Sequence, residues 1–250
     1  MAIKGLGSNR KPFFYLDEYV KAPNWEQLHA DICYGLSQSP WDKKFVSSGV
    51  HVDWLNNEIT PYMAEIGKHV TEYEKSLFDK CVTIAEKIKF VQALLPVSHP
   101  FWTLCIRDNK RVEMTGVMNK SVGADCYWTE VSKFFPTLVQ FIETLPFEQI
   151  GRVIFFITES NNQTVPHYDY YGDPKDKTHD DFIWFTTKSN SKSVYVMDGG
   201  TNEKFYADPD KKFVWFNEMD FHGTDPVPHF SFSIRIDGVF RSDVRDEVRA

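Results

Sequence analysis

From Arg152 onward the sequence divides into short aromatic and β-branched runs: "RVIFFIT", "FIWFTTKS", "SVYVMDG", "EKFYA", "KFVWFN" and "HFSFSIRIDGVF". Between them stand "SNNQ", "GDPKDK", "SNS", "GGTN" and "DPDK". The runs suit a pleated, half-buried surface, and the separators are turn chemistry. No helical period lies between consecutive runs, so parallel strands with helical crossovers are excluded and antiparallel sheets remain. A double-sheet roll or barrel is the natural closure for such strands.

The first ~150 residues read as mixed and mostly helical. In "APNWEQLHADICYGL" an Asn precedes an apolar-periodic run, a helix start. Residues 57–95 read as one long helix, with Ile66, Val70, Tyr73 and Leu77 on a stripe. "FWTLCIRD" and "RVEMTGV" read as strands joined by a turn at Asn109–Lys110. "WTEVSKFFPTLVQFIETLP" reads as a helix interrupted by Pro136, which fits a first helical turn. Helices preceding a sheet-rich half indicate an α+β unit, its helices packed against one sheet. One domain is therefore expected over residues 1–250, helix-rich over 1–150 and a β-roll over 151–241.

Aromatic residues make up 16% of the chain, with 21 Phe, 11 Tyr and 7 Trp, which suits a β-rich core and a lined pocket. The net charge of −7 argues against a nucleic-acid or anionic-membrane binder. The start carries no secretory h-region, and no apolar run reaches the ~18 residues of a membrane span. The cysteines Cys33, Cys81, Cys105 and Cys126 show no CxxC spacing, so free thiols in a reducing, cytoplasmic setting are expected.

Within "VPHYDYYG", His167 and Asp169 stand two apart, which on an extended strand points both side chains the same way. His222 follows 53 residues after Asp169 (222 − 169), in "NEMDFHGTDPVPHFSFSIRIDG". Two imidazoles and a carboxylate on one side of a metal form the facial triad of non-haem Fe(II) oxygenases. Three protein ligands leave three octahedral positions for a chelating co-substrate and dioxygen, and the carboxylate offsets part of the ferrous charge. Arg235 comes 13 positions after His222 (235 − 222), inside a strand-like run. Its fork can hold a carboxylate bidentately, and in a strand interior it needs an anionic partner. Alternation sets Ser231, Ser233 and Arg235 on one face and Phe232, Ile234 and Ile236 on the other. That polar face is where the distal carboxylate of 2-oxoglutarate is expected.

His-x-Asp, a distal His and an Arg one strand later resemble the Fe(II)/2-oxoglutarate-dependent oxygenase superfamily over about residues 150–240. "FVWFNEMDFHGTDPVPHFSFSIRIDG" is similar to its aspartyl/asparaginyl β-hydroxylase-like group and to small-molecule amino-acid hydroxylases. The resemblance implies a double-stranded β-helix, a cupin-like jelly roll. It implies Fe(II) on His167, Asp169 and His222, and 2-oxoglutarate as co-substrate held by Arg235, with Ser233 and Trp184 as further contacts. It also implies hydroxylation of an unactivated C–H bond in a small molecule or peptide, with release of succinate and CO2. Related halogenases carry Gly or Ala where this chain has Asp169, which favours hydroxylation here. Two departures stand out: no second basic residue lies in "DDFIWFTT", and Asp237 occupies a position where many relatives have Ser or Thr.

Other readings compete. His51 and Asp53 in "GVHVDW" repeat the dipeptide spacing, but the mostly helical sequence after them cannot build a roll, so local pairing is expected. His179, Asp180 and Asp181 read as a solvated turn, and His229 as a structural turn residue. Arg107, Arg111 and Asp125 could meet a zwitterionic substrate. The rival functions are a cupin-like metalloenzyme that uses no 2-oxoglutarate and a non-catalytic β-roll binding module.

Overall fold

The two longest β-forming runs become the two longest strands, β4 (Phe147–Thr158) and β11 (Ser231–Phe240), which pair antiparallel at the centre of the fold. The computed structural model describes residues 5, 11–39, 80, 102–109, 125–158, 163–167, 181–188 and 192–249. Around the central pair are β1 (Phe14–Tyr15), α1 (Trp25–Gln38), β2 (Trp102–Asn109), β3 (Cys126–Trp128), α2 (Pro136–Ile142), β5 (Thr164–His167) and β6 (Asp181–Phe185). There follow β7 (Val194–Met197), β8 (Lys204–Tyr206), β9 (Phe213–Trp215), β10 (Phe221–Thr224) and α3 (Ser242–Arg249).

The large sheet has the order β1-β9-β6-β11-β4-β2-β3 and the small sheet β5-β10-β7-β8, with every pair antiparallel. Strands β4 to β11 thus contribute β9-β6-β11-β4 to one sheet and β5-β10-β7-β8 to the other. The chain crosses between sheets at every step except β7 to β8. That winding is the double-stranded β-helix, or jelly roll. Strands β1, β2 and β3, which precede β4 in the sequence, lengthen the large sheet at both edges.

Helices α1 and α2 cover the outer face of the large sheet. Trp25 of α1 lies against Phe185 and Phe213 (ring centroids 6.4 and 5.5 Å), and Phe141 of α2 against the same two rings (6.1 and 5.9 Å). Asn24 caps α1 by accepting the Gln27 amide at 3.2 Å, replacing a bond the first turn cannot make internally. Pro136 opens α2 as its first residue, after a 3-10 turn at Glu130–Phe134. Each large side chain fully buried in this layer contributes roughly 1.5–3 kcal/mol.

Register assigns the faces, because directly opposed residues of an antiparallel pair point the same way. Phe232 stacks on His29 of α1, so Phe232, Ile234 and Ile236 face the helices. Ser231, Ser233, Arg235 and Asp237, with Trp184 and Phe182 opposite the last two, face the small sheet. On the small sheet, Val194 and Val196 join the main core, while Tyr195 and Met197 pack with Phe221 on the outer side. Among the described residues no helix is long and apolar enough to cross a membrane. The expected helix over 57–95, the strand "RVEMTGV", and His51 with Asp53 lie outside the described residues, apart from Lys80, which is helical.

Candidate functional site

His167 ends β5 and His222 is the second residue of β10; the two are direct cross-strand partners. Because His222 also opposes Val196, both imidazoles point between the sheets, with ring centroids 4.5 Å apart. The Nδ1 of His222 lies 2.9 Å from the Asp220 carbonyl. A carbonyl only accepts, so Nδ1 carries the proton and the lone pair of the neutral ring sits on Nε2. This is how a protein orients a metal-ligating histidine. Gly223 permits the close approach of β10: a Cβ there would lie 2.5 Å from the Thr164 carbonyl oxygen and 2.6 Å from the Tyr195 hydroxyl. Phe216 closes one side of the His222 ring, at 4.8 Å between centroids. Asp169, Tyr168, Tyr170 and Tyr171 lie outside the described residues, as do His179 and Asp180. Among the described residues no three His, Cys, Asp or Glu side chains form a metal cage. The two imidazoles, that of His222 with its tautomer set, are nonetheless donors suited to a divalent transition metal.

Arg235 is buried on the inner face of β11, and its anionic partners come from the protein itself. Its Nη2 donates to Glu218 Oε2 at 2.9 Å and its Nε to Asp237 Oδ1 at 2.7 Å. The guanidinium also lies over the Phe182 ring, 3.9 Å from its centroid. Asp237 is shared: Arg152 donates to its Oδ2 from Nε at 2.9 Å and forms an ion pair from Nη2 at 2.8 Å. Among the described residues, two guanidiniums thus meet two carboxylates in a buried cluster. The Arg235 group reaches the histidines through rings, since Phe182 packs on Phe216 at 5.0 Å and Phe216 on His222. Ser233 and Trp184 share the inner face with Arg235, buried at 1% and 8% exposure.

Asp181 corrects an expectation. Instead of standing in a solvated turn it begins β6, buried, and its Oδ2 accepts the Phe240 amide at 2.9 Å. His229 is in an exposed bend. Arg107 stacks on Trp128 and donates to the Ile150 carbonyl, at the edge of the large sheet.

Four buried charges escaped the sequence reading: Arg152, Glu218, Asp220 and Lys192. Lys192 is two residues before Val194 and so on the inner face; its Nζ crosses the roll to donate to the Phe156 carbonyl at 2.9 Å. Burial pushes its pKa down to about 7. Period two counted back from Val196 and Val194 could have placed Lys192, whereas nothing in "FNEMDF" marks Glu218.

No protein-family model matches the chain, and no curated protein matches it. Among solved structures it is similar to a 2OG-Fe(II) oxygenase-family oxidoreductase from Burkholderia pseudomallei (14% identity, 62% of this chain and 79% of that one, TM-score 0.36). It is also similar to a prolyl-4-hydroxylase from Pseudomonas putida (12% identity, 53% and 82%, TM-score 0.30). A third likeness is to an RmlC-like cupin protein from Desulfovibrio desulfuricans (14% identity, 34% and 70%, TM-score 0.24). Likenesses this distant carry no argument about activity; the jelly-roll assignment stands on the strand order.

Proposed function

We propose that the chain is a single oxygenase unit that uses Fe(II) and 2-oxoglutarate to hydroxylate an unactivated C–H bond. The observation that carries this reading is the inward-facing His167–His222 pair, cross-strand neighbours with the His222 tautomer set by the Asp220 carbonyl. His167 and His222 would hold the metal with Asp169 as third ligand, matching the His-x-Asp and distal His pattern. Bound there, ferrous iron supplies oxygen activation coupled to decarboxylation of the 2-oxo acid.

The chain's own residues have more limited tasks. The Asp220 carbonyl keeps the proton of His222 on Nδ1, so that Nε2 is the ring atom that would hold the metal. Phe216 and Phe182 exclude water from one side of the site. Ser233, Trp184 and Arg235 stand on the inner face that would meet the co-substrate. Glu218 and Asp237 already accept from Nη2 and Nε of Arg235, so a substrate carboxylate there would have to share the guanidinium with two protein carboxylates. The likeness to aspartyl/asparaginyl and amino-acid hydroxylases suggests an amino acid, free or within a peptide, as substrate.

A second reading, a cupin-like metalloenzyme without 2-oxoglutarate, draws support from Arg235 being held by two protein carboxylates. Anaerobic titration with Fe(II) and then 2-oxoglutarate separates the two. The oxygenase reading expects a visible charge-transfer band that is lost in His167→Ala and His222→Ala. A wild-type protein that binds Fe(II) but shows no change with 2-oxoglutarate would leave the cupin-like reading standing.

A further inference from the structure

Arg235 meets carboxylates of the protein itself, yet another cation is buried in the same interior with no counter-charge among the described residues. Lys192 is 6% exposed and, among the described residues, makes one hydrogen bond, to the Phe156 carbonyl, and no ion pair. Burying an ammonium without an anion is costly, and natural chains seldom retain one without a use for it. Thr158 and Ser231 are opposed across β4 and β11, on the strip that also carries Ser233 and Arg235. Both are buried, at 1% and 3% exposure, and neither hydroxyl oxygen has a hydrogen-bond partner among the described residues. Phe156, whose carbonyl anchors Lys192, is two residues from Thr158 and pairs with Ser233. A lone buried ammonium and two orphaned hydroxyls therefore gather at one end of the roll, where an oxyanion would satisfy all three.

The histidines lie at the other end of the same inner face. Val196 opposes His222, and Lys192 is four residues further along that chain, ~13 Å at the Cα level. We infer that Lys192, with Thr158 and Ser231, holds the distal carboxylate of the 2-oxo-acid co-substrate, in place of Arg235. This assignment rests on the oxygenase reading above, and it makes the Arg152–Asp237–Arg235–Glu218 cluster a structural element.

The test is calorimetric binding of 2-oxoglutarate and of pyruvate, which lacks the distal carboxylate, to the Zn(II)-loaded protein, with unfolding temperature measured in parallel. Wild type should prefer 2-oxoglutarate strongly. Lys192→Met should weaken 2-oxoglutarate binding roughly 10- to 100-fold, the range of a charge-assisted bond, leaving pyruvate binding unchanged and the unfolding temperature no lower. Thr158→Val with Ser231→Ala should weaken 2-oxoglutarate several-fold in the same selective way. Should Lys192→Met retain the preference, or Arg235→Met erase it in a folded protein, the carboxylate belongs to Arg235 and the inference is overturned. If wild type binds neither 2-oxo acid with metal in place, the oxygenase reading itself falls, and this assignment with it.

Discussion

Asp237→Asn tests the buried charge cluster by the smallest possible change. In the native protein Asp237 accepts from Arg235 Nε on one oxygen and from Arg152 on the other, all within 2.9 Å, at 1% exposure. An asparagine of the same shape presents a carbonyl to one guanidinium and an NH2 to the other, so one contact becomes donor against donor. The change also removes one negative charge from the cluster, leaving Glu218 as the carboxylate that Arg235 meets among the pairs described. Hydrogen bonds to charged groups contribute roughly 1.5–3 kcal/mol each, and removing one member of a buried ion pair costs about 3–5 kcal/mol. We take the second range because the contacts share one carboxylate and do not add. For a chain of this size, at ~2–4 °C per kcal/mol, the unfolding temperature should drop by roughly 6–20 °C. Urea denaturation followed by tryptophan fluorescence measures the free energy directly, and Asp243→Asn, in an exposed pair with Arg241, is the control that should change little. A loss below about 1 kcal/mol for Asp237→Asn would refute the reasoning, since the arginines would then be neutralised from elsewhere.

The remaining predictions concern the site and the lysine. His222→Ala should abolish Fe(II) binding measured by anaerobic titration while the far-UV circular dichroism is retained; unaltered metal affinity would remove His222 from the centre. Gly223→Ala puts a Cβ against the Thr164 backbone, which cannot yield as a side chain would, so a loss of about 1–3 kcal/mol and weaker metal binding are expected by denaturation and titration. Lys192, with its pKa lowered by burial from 10.5 to about 7, is deprotonated more readily folded than unfolded. Between those values the unfolded chain binds more protons, so wild-type stability should rise with pH, at most about 1.4 kcal/mol per unit. Lys192→Met should therefore be the more stable protein at pH 7, its advantage shrinking by a few kcal/mol toward pH 10 in denaturation series; a constant difference would contradict the burial of an unpaired ammonium.

Local pattern made much of the fold legible. "RVIFFIT" and "HFSFSIRIDGVF" became β4 and β11 because long apolar alternation has no other stable placement. Asn24 and Pro136 mark helix starts by backbone chemistry that operates within one turn. Strand β10 was not legible: "FHGT" is four residues, contains a glycine, and stands between acidic and proline-rich segments. It is a strand because β5 and β7 supply hydrogen bonds on both sides, a condition set at long range. Asp181 was misread for the same reason, since its turn-like neighbours say nothing about the Phe240 amide 59 residues away.

For the candidate site, the sequence by itself determined which residues offer suitable chemistry: two histidines, one in a His-x-Asp spacing, and an arginine on the polar face of a strand. Alternation set Arg235 on one face with Ser231 and Ser233, and the register of β11 with β6 turns that face toward the small sheet. Only the tertiary structure decided partners. Arg235 needed an anion, but Glu218 lies 17 residues away, on the segment before β10, and reaches it through the roll's winding. Lys192 looks like one of many loop lysines until the second sheet closes over it and leaves its ammonium in the interior. Periodicity fixes the direction a side chain takes from its own strand, whereas its counter-charge and dielectric depend on which strands the fold brings opposite.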